Sequence, residues 1–457
     1  MSNLIGHQIN NSEKINKLIR DLAQEVHAEN QKITGVKDAD PSLVESSKML
    51  VDKIAQVRGR PLVYPYVGSS AGNGVYVELE DGSVKMDLIN GIGIHIMGHG
   101  HPKLIETAIR ASLSDIIMQG NLEPNKEYYK FTEKLVSLAS KNSRLKYAWL
   151  ATCGTMANEN ALKLARQKNT PKRMIVAFKD AFAGRSTMMA EVTDNPSYKV
   201  GLPEYNEVLR LPFLSKTNSA EVALSKFKEL YAQHENKIGV FSFEPMQGEG
   251  GYKVGTKEFF VPLFEFCREK KIAIWADEVQ TFTRTGEIFA FQKLGIGDYV
   301  DLCTIAKTAQ VGATLYTEEY NPQPGLIAGT FSGSTVSLAV GTEILRILSE
   351  EGYTGSTGRI QSIHNQFVGM LKELNETTCK GMLTDAGGLG LMIAVTPYDG
   401  SKQKTDDLLK RLFKNNMIAF NCGKDPYRIR FLVPAVIKDS DIKIAKNIIE
   451  KSILEGV

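Results

Sequence analysis

Short apolar runs alternate with helical stretches from about residue 101 to about residue 315, and this alternation constrains the fold most. The runs are Tyr147–Ala151, Met174–Phe178, Ile238–Phe243, Ile272–Ala276 and Leu302–Ile305. Each has strand length, is apolar on both faces, and is followed by sequence with helical spacing. Such a pattern predicts an α/β protein with a mostly parallel sheet and helical crossovers. In open sheets of this kind, ligands bind beyond the carboxyl ends of the strands. The residues that carry chemistry are therefore sought just after these runs.

The flanking sequence reads differently. Residues 1–50 are charged and helical, with a break around Asp38–Pro41. Val75–Glu80 and Ser83–Leu88 are joined by Asp81-Gly82, the favoured turn dipeptide of a hairpin. Gly91–Gly100 reads as a loop, and a helix is expected after His101-Pro102. Beyond about residue 335, a helical run at Ser337–Leu348 precedes short strands with glycine-rich turns, at Gly387–Val395 and Arg428–Leu432. The expected division is an N-terminal segment (1–100), a large α/β domain (101–334) and a smaller α+β domain (335–457), with part of the small domain drawn from the N-terminal segment.

Composition narrows the function. Lys+Arg number 55 against Asp+Glu 52, so no concentrated basic surface points to nucleic acid. The five cysteines, Cys153, Cys267, Cys303, Cys379 and Cys422, form no C-x-x-C pair and are odd in number. Neither a disulfide framework nor a metal site is expected, and a reducing, cytoplasmic setting fits best. The N-terminus carries no apolar run of signal-peptide or membrane-spanning length.

Three places carry chemistry. A strand runs through Tyr147–Ala151 into Cys153-Gly154-Thr155, and a helix begins at once. Free amides at a helix start, with a threonine hydroxyl, make a phosphate cradle; the plainer reading is a strand-to-helix turn capped by Thr155. The run Ile272–Ala276 ends in Asp277-Glu278. A carboxylate at the end of a buried strand needs a positive partner, such as a protonated ring nitrogen. Lys307 follows Leu302–Ile305 and stands thirty positions after Asp277, about one βαβ unit on. Burial there would favour the neutral, nucleophilic amine, whereas an ordinary lysine would extend to the surface.

Together these motifs resemble the class III (ornithine/4-aminobutyrate-type) aminotransferases of pyridoxal phosphate (PLP) fold type I. The resemblance runs from about Val75 to about Ile437. It rests on Gly-His-Gly-His-Pro (98–102), the Gly154–Lys163 segment, Phe-Ala-Gly-Arg-Ser-Thr (182–187), Glu-Pro-Met-Gln-Gly-Glu-Gly-Gly (244–251), Asp-Glu-Val-Gln (277–280), Ala-Lys-Thr (306–308), Gly-Thr-Phe-Ser-Gly (329–333) and Ile-Arg-Phe (429–431).

The resemblance implies a role for each position. Lys307 matches the Schiff-base lysine that also shuttles a proton, and Asp277 the partner of the pyridine nitrogen. Gln280 matches the residue bonded to the ring hydroxyl, and Phe182 the aromatic stacked on the ring. Gly154, Thr155 and the Met156 backbone match the phosphate cup. Thr330 matches a phosphate contact taken from the neighbouring subunit, which implies a homodimer, with tetramers open. Arg430 matches the arginine that binds a substrate carboxylate, Glu249 the glutamate that pairs with it, and Arg185 the arginine that holds the donor's distal carboxylate. The implied substrates are an ω-amino donor, of the 4-aminobutyrate, lysine or ornithine class, and 2-oxoglutarate, handled by a ping-pong mechanism. A decarboxylase, racemase or aminomutase of the same fold is the alternative, and a catalytically silent homologue a third.

The chain departs from the family pattern at Ala183, at Thr281–Arg284, at Ser334-Thr335, and at 308–313, which reads Thr-Ala-Gln-Val-Gly-Ala. The last leans toward the 4-aminobutyrate and L-lysine 6-aminotransferase branch. These departures bear on the substrate and leave the lysine, the ring aspartate and the carboxylate arginine in place.

Overall fold

The structure, a computed structural model, describes residues 4–114 and 122–456. From sequence, pocket shape is expected to depend on a loop near Gly120–Asn125; two of its positions, Gly120 and Asn121, lie outside the described residues.

A seven-stranded sheet forms the centre. Its strands are β1 (Tyr147–Ala151), β2 (Met174–Phe178), β3 (Val208–Leu211), β4 (Ile238–Phe243), β5 (Ala273–Asp277), β6 (Leu302–Ile305) and β7 (Gly312–Tyr316). Their order across the sheet is β1-β7-β6-β5-β4-β2-β3. Only β7 runs against its neighbours, pairing antiparallel with both β6 and β1. The other adjacent pairs are parallel. The mostly parallel sheet expected from the alternating runs is present, and all five expected strands lie within it.

Two strands escaped the sequence reading. β3 has four residues and includes Arg210, so its apolar signal is short. β7 starts five residues after Lys307 and opens with Gly312, which weakens its strand propensity.

The sheet is buried because its strands are apolar on both faces. All six residues of β4 and all five of β5 are buried. Phenylalanines pack on one side: Phe241, Phe243, Phe260 and Phe264 have at most 2% exposure, and their rings lie 4.9–6.1 Å apart. Burying each such ring contributes roughly 1.5–3 kcal/mol.

Both chain ends build a second region. The expected hairpin forms from Tyr76–Leu79 and Val84–Asp87. A further strand, Gly68–Asn73, lies on one side of it, and Met417-Ile418 adds to the other in parallel. A four-stranded antiparallel sheet follows, in the order Leu383–Leu389, Met392–Pro397, Arg428–Leu432, Phe420–Cys422. The run Gly387–Val395, read as strand, spans two strands and the turn at Gly390-Leu391. Gly390 adopts φ +58°, so the chain reverses there. The helix expected at Ser337–Leu348 runs from Thr335 to Glu350, with the Ser334 side chain capping it. Among the described residues no helix is long and apolar enough to cross a membrane.

Candidate active site

A cleft of about 480 Å³ opens at the carboxyl ends of the central strands. Its wall includes Gly154, Thr155, Phe182, Asp277, Gln280 and Lys307, six positions that the sequence singles out. They come from four separate segments, at strand ends and a helix start, and the parallel strands bring those segments to one edge.

Register places the two central groups. Asp277 on β5 pairs with Thr304 on β6, three residues before Lys307. Lys307 sits just past the end of β6 with φ +56°, a left-handed conformation that a branched or long side chain adopts at some cost. Among the described residues, no group accepts a hydrogen bond from its amine. Burial brings the Lys307 pKa down to about 8; the cations Arg284 and Arg430 add to this, while Glu249 and Asp277 oppose it. At pH 7 roughly a tenth of the amine is therefore neutral, far more than for an ordinary lysine.

Asp277 is 6% exposed. Its carboxylate accepts from the Asn158 amide at 2.7 Å and from the Val279 backbone N–H at 3.0 Å. Burial nevertheless pushes its pKa up to about 6, against the pull of Val279, Asn158 and Lys307. An added cation at Asp277 would relieve this. The adjacent Glu278 does other work: it accepts from Thr281 and from the Ala290 and Phe291 amides, and so anchors the start of the Ala290–Leu294 helix.

The helix Gly154–Lys168 starts at the cleft without a side-chain cap. Among the described residues, the Gly154, Thr155 and Met156 amides donate to no protein acceptor, which is an anion site in waiting. Thr155 is not the cap; the capping position is Cys153. The Thr155 hydroxyl points instead toward Gly184, where a Cβ would lie 2.4 Å from it, so Gly184 must be glycine for Thr155 to sit there. Gly184 also takes φ +123°, which favours glycine independently.

The Gln280 side-chain oxygen is buried without a partner among the described residues. Phe182 donates its backbone N–H to Glu244 at 3.1 Å, and Glu244 also accepts from Gly248 at 3.0 Å. Burial, reinforced by the Asp277 charge, pushes Glu244 up to about 8. Sequence reasoning quoted Glu244 and Asn158 only inside longer motifs and gave them no role. For Asn158 a signal existed: it lies one helical turn beyond Gly154, on the same face.

Glu249 and Arg430 lie beside the cleft wall and form an ion pair of 2.6 Å. Gly248, preceding Glu249, packs so closely on Gln280 that a Cβ would lie 2.5 Å from its amide. Burial works against the Arg430 charge, but Glu249 and neighbouring groups outweigh it and keep the guanidinium protonated.

Two of the singled-out residues lie elsewhere. Arg185 is exposed and stacks on the Tyr198 ring at 4.1 Å, outside the cleft wall. Thr330 is exposed and does not line its own chain's cleft. Met156 is 43% exposed, so only its backbone faces the helix start.

An uncapped helix N-terminus, a buried carboxylate short of a cation, an unpartnered amide and a depressed lysine amine define an enzyme site for an anionic, cationic-ring aldehyde cofactor; pyridoxal 5'-phosphate has these features. The family profile described as "Aminotransferase class-III" matches residues 59–453. The chain belongs to the class III aminotransferases, and its cofactor is pyridoxal 5'-phosphate. A probable 4-aminobutyrate aminotransferase of Bacillus subtilis (strain 168) is 29% identical, covering 83% of this chain and 91% of the relative. An acetylornithine aminotransferase of Aquifex aeolicus is 28% identical, covering 83% and 95%. A solved lysine aminotransferase from M. tuberculosis superposes with a TM-score of 0.80 at 21% identity, covering 89% of this chain and all of that one.

Proposed function

We propose that this aminotransferase takes the amino group of an ω-amino acid and passes it to 2-oxoglutarate by a ping-pong mechanism, with Lys307 as the cofactor lysine. The observation that carries the proposal is the convergence of Lys307, Asp277 and the uncapped Gly154 helix start on one cleft. The names of the relatives, which act on 4-aminobutyrate and acetylornithine, support the donor class.

Each residue has a task in this reading. When bound, pyridoxal phosphate supplies an aldehyde that takes up the amino group and a protonated ring nitrogen that draws electrons from the donor carbon. Lys307 would hold the aldehyde through its Nζ, and the same Nζ, once free, would take the proton from the donor carbon. Asp277, oriented by Asn158, keeps the ring nitrogen protonated. Gln280 bonds the ring hydroxyl through its unpartnered side chain. Phe182, fixed by Glu244, stacks on the ring. The Gly154, Thr155 and Met156 amides and the Thr155 hydroxyl hold the phosphate.

One pocket must accept two different acids. Arg430 binds the carboxylate of the 2-oxo acid in a bidentate fork. Glu249 neutralises Arg430 when an ω-amino donor, with no carboxylate at its reacting carbon, is in place. Arg185, unpaired among the described residues and tethered only by Tyr198, is free to meet the donor's distal carboxylate.

The reading includes a homodimer in which Thr330 reaches the partner's phosphate site; its exposure in this chain supports that. It also includes a cytoplasmic setting, supported by five unpaired cysteines.

The test is a donor panel of 4-aminobutyrate, lysine, ornithine and alanine, each run with and without 2-oxoglutarate. Product formation that needs the 2-oxo acid and favours an ω-amino donor supports the proposal. Turnover without any 2-oxo acid contradicts it.

A further inference from the structure

The turn that carries Glu249 delivers a second partner to Arg430. Further along the same turn, the guanidinium of Arg430 lies over the ring of Tyr252, with Cζ 6.0 Å from the ring centroid. A cation over an aromatic face is attracted by the ring quadrupole, most strongly where water is excluded. Water is excluded here, because Arg430 is buried and Tyr252 is only 2% exposed.

The backbone is arranged to put the ring in this place. Tyr252 adopts φ +55°, a left-handed conformation that a bulky side chain takes at a cost. The turn is fastened to the strand that bears Arg430. Arg428, on the same face of that strand as Arg430, donates from its guanidinium to the Gly251 carbonyl at 2.7 Å. The Gly423 N–H donates to the Glu249 carbonyl at 2.9 Å. The Tyr252 ring packs in one apolar cluster with Met392, Phe420 and Leu432, and Phe420 is the register partner of Arg430 on the adjacent strand.

Hydrogen bonding does not account for the tyrosine. Its hydroxyl is buried without a partner among the described residues. What it presents to Arg430 is the face of its ring. That face matters when the ion pair opens, because an arginine that loses its carboxylate partner is a buried charge without compensation.

We propose that Tyr252 is a positioning residue for substrate binding: its ring is the fixed partner that keeps Arg430 in place while Glu249 and a substrate carboxylate exchange on it. Glu249 supplies the exchangeable charge, and Tyr252 supplies the seat. The inference rests on Arg430 being the carboxylate-binding arginine of the proposed function. Tyr252 does not line the cleft, so it acts through Arg430.

Glutarate, a dicarboxylate with no keto group, probes the carboxylate site without reacting. Its dissociation constant is measured by calorimetry on the full-length holoenzyme and its variants. Tyr252→Leu should weaken glutarate binding about tenfold, whereas Tyr252→Phe keeps the ring and should stay within about twofold of the wild type. Tyr252→Leu should also raise the KM for 2-oxoglutarate by a similar factor while kcat stays within about twofold, a split that a general loss of packing does not produce. A folded Tyr252→Leu protein that binds glutarate as the wild type does overturns the proposal, as does Tyr252→Phe weakened as far as Tyr252→Leu. If Tyr252→Leu does not fold, Glu249→Ala decides. An arginine seated on the ring stays in place without its carboxylate, so glutarate should bind Glu249→Ala at least as tightly as the wild type, and weaker binding overturns the proposal. Arg430→Ala separates the two levels. If it binds glutarate like the wild type, the carboxylate assignment of Arg430 falls and this inference with it. If it loses glutarate while Tyr252→Leu retains it, the assignment of Arg430 stands and the role of Tyr252 falls.

Discussion

Glu249 and Arg430 are paired at 2.6 Å, with the arginine buried and the glutamate side chain 39% exposed. The asymmetry makes Glu249 the mobile partner: it can reach solvent, whereas Arg430 stays behind. Removing one partner of a buried pair leaves the other charge uncompensated, at about 3–5 kcal/mol. Arg430→Ala should therefore raise the KM for 2-oxoglutarate by roughly 100-fold or more. Glu249→Ala should lower kcat/KM for the ω-amino donor by at least about tenfold and spare an α-amino donor, whose carboxylate replaces the lost glutamate. Steady-state kinetics with each donor check both. Equal losses for the two donors would contradict the pairing account.

The helix start at Gly154 has amides to offer and no side-chain cap, and Thr155 adds a hydroxyl. Thr155→Val keeps the shape and removes that hydroxyl. Its affinity for pyridoxal phosphate should fall about tenfold, the worth of a hydrogen bond to a charged group. Binding of pyridoxal, which lacks the phosphate, should be unchanged. Fluorescence titration of the cofactor-free protein with both compounds measures this.

Asn158 bridges the Asp277 carboxylate and the Ala183 carbonyl, at 2.7 and 2.8 Å. Asn158→Leu fills similar space without the donor. The account predicts roughly tenfold to 100-fold weaker retention of pyridoxal phosphate, because Asp277 loses its orientation. Asp277→Ala should cost at least about 100-fold in turnover, since the ring nitrogen then loses its partner. Cofactor release by dialysis and single-turnover rates separate the two effects.

Three buried carboxyls bind protons more tightly in the folded chain than in the unfolded one: Asp277 at about 6, Glu278 at about 7 and Glu244 at about 8, each raised chiefly by burial. Unfolding at a pH between roughly 4 and 8 therefore releases protons from these groups, and their contribution to stability falls as pH rises through that window. Thermal unfolding of the cofactor-free protein should show Tm falling from pH 5.5 to 7.5, and Glu244→Gln should flatten the slope. A Glu244→Gln slope no different from the wild type's would contradict the assignment, because His95 and His101, whose pKa values burial lowers, add an opposing rise to the total.

Much of the site was legible because parallel strands turn linear order into convergence. Asp277 and Lys307 each follow an apolar run, and adjacent strands necessarily bring such positions to one edge. Residues acting through side-chain orientation were harder to see. Arg284 was noticed only as part of a stretch departing from the family pattern, since nothing in sequence tells a buried arginine from an exposed one. Glu244 follows directly after β4 as Asp277 ends β5, but its role depends on which backbone amides it meets. Arg185 shows the converse: its motif predicts a substrate contact, and the fold parks its guanidinium on Tyr198 outside the cleft.

The most direct test of the account is the visible absorption of the purified protein supplied with pyridoxal phosphate, for the wild type and for Lys307→Ala. The wild type should be yellow, lose the band on addition of an ω-amino donor, and regain it with 2-oxoglutarate, while Lys307→Ala should not turn over. A wild type that stays colourless, or a Lys307→Ala protein with normal turnover, would contradict the central role given to Lys307.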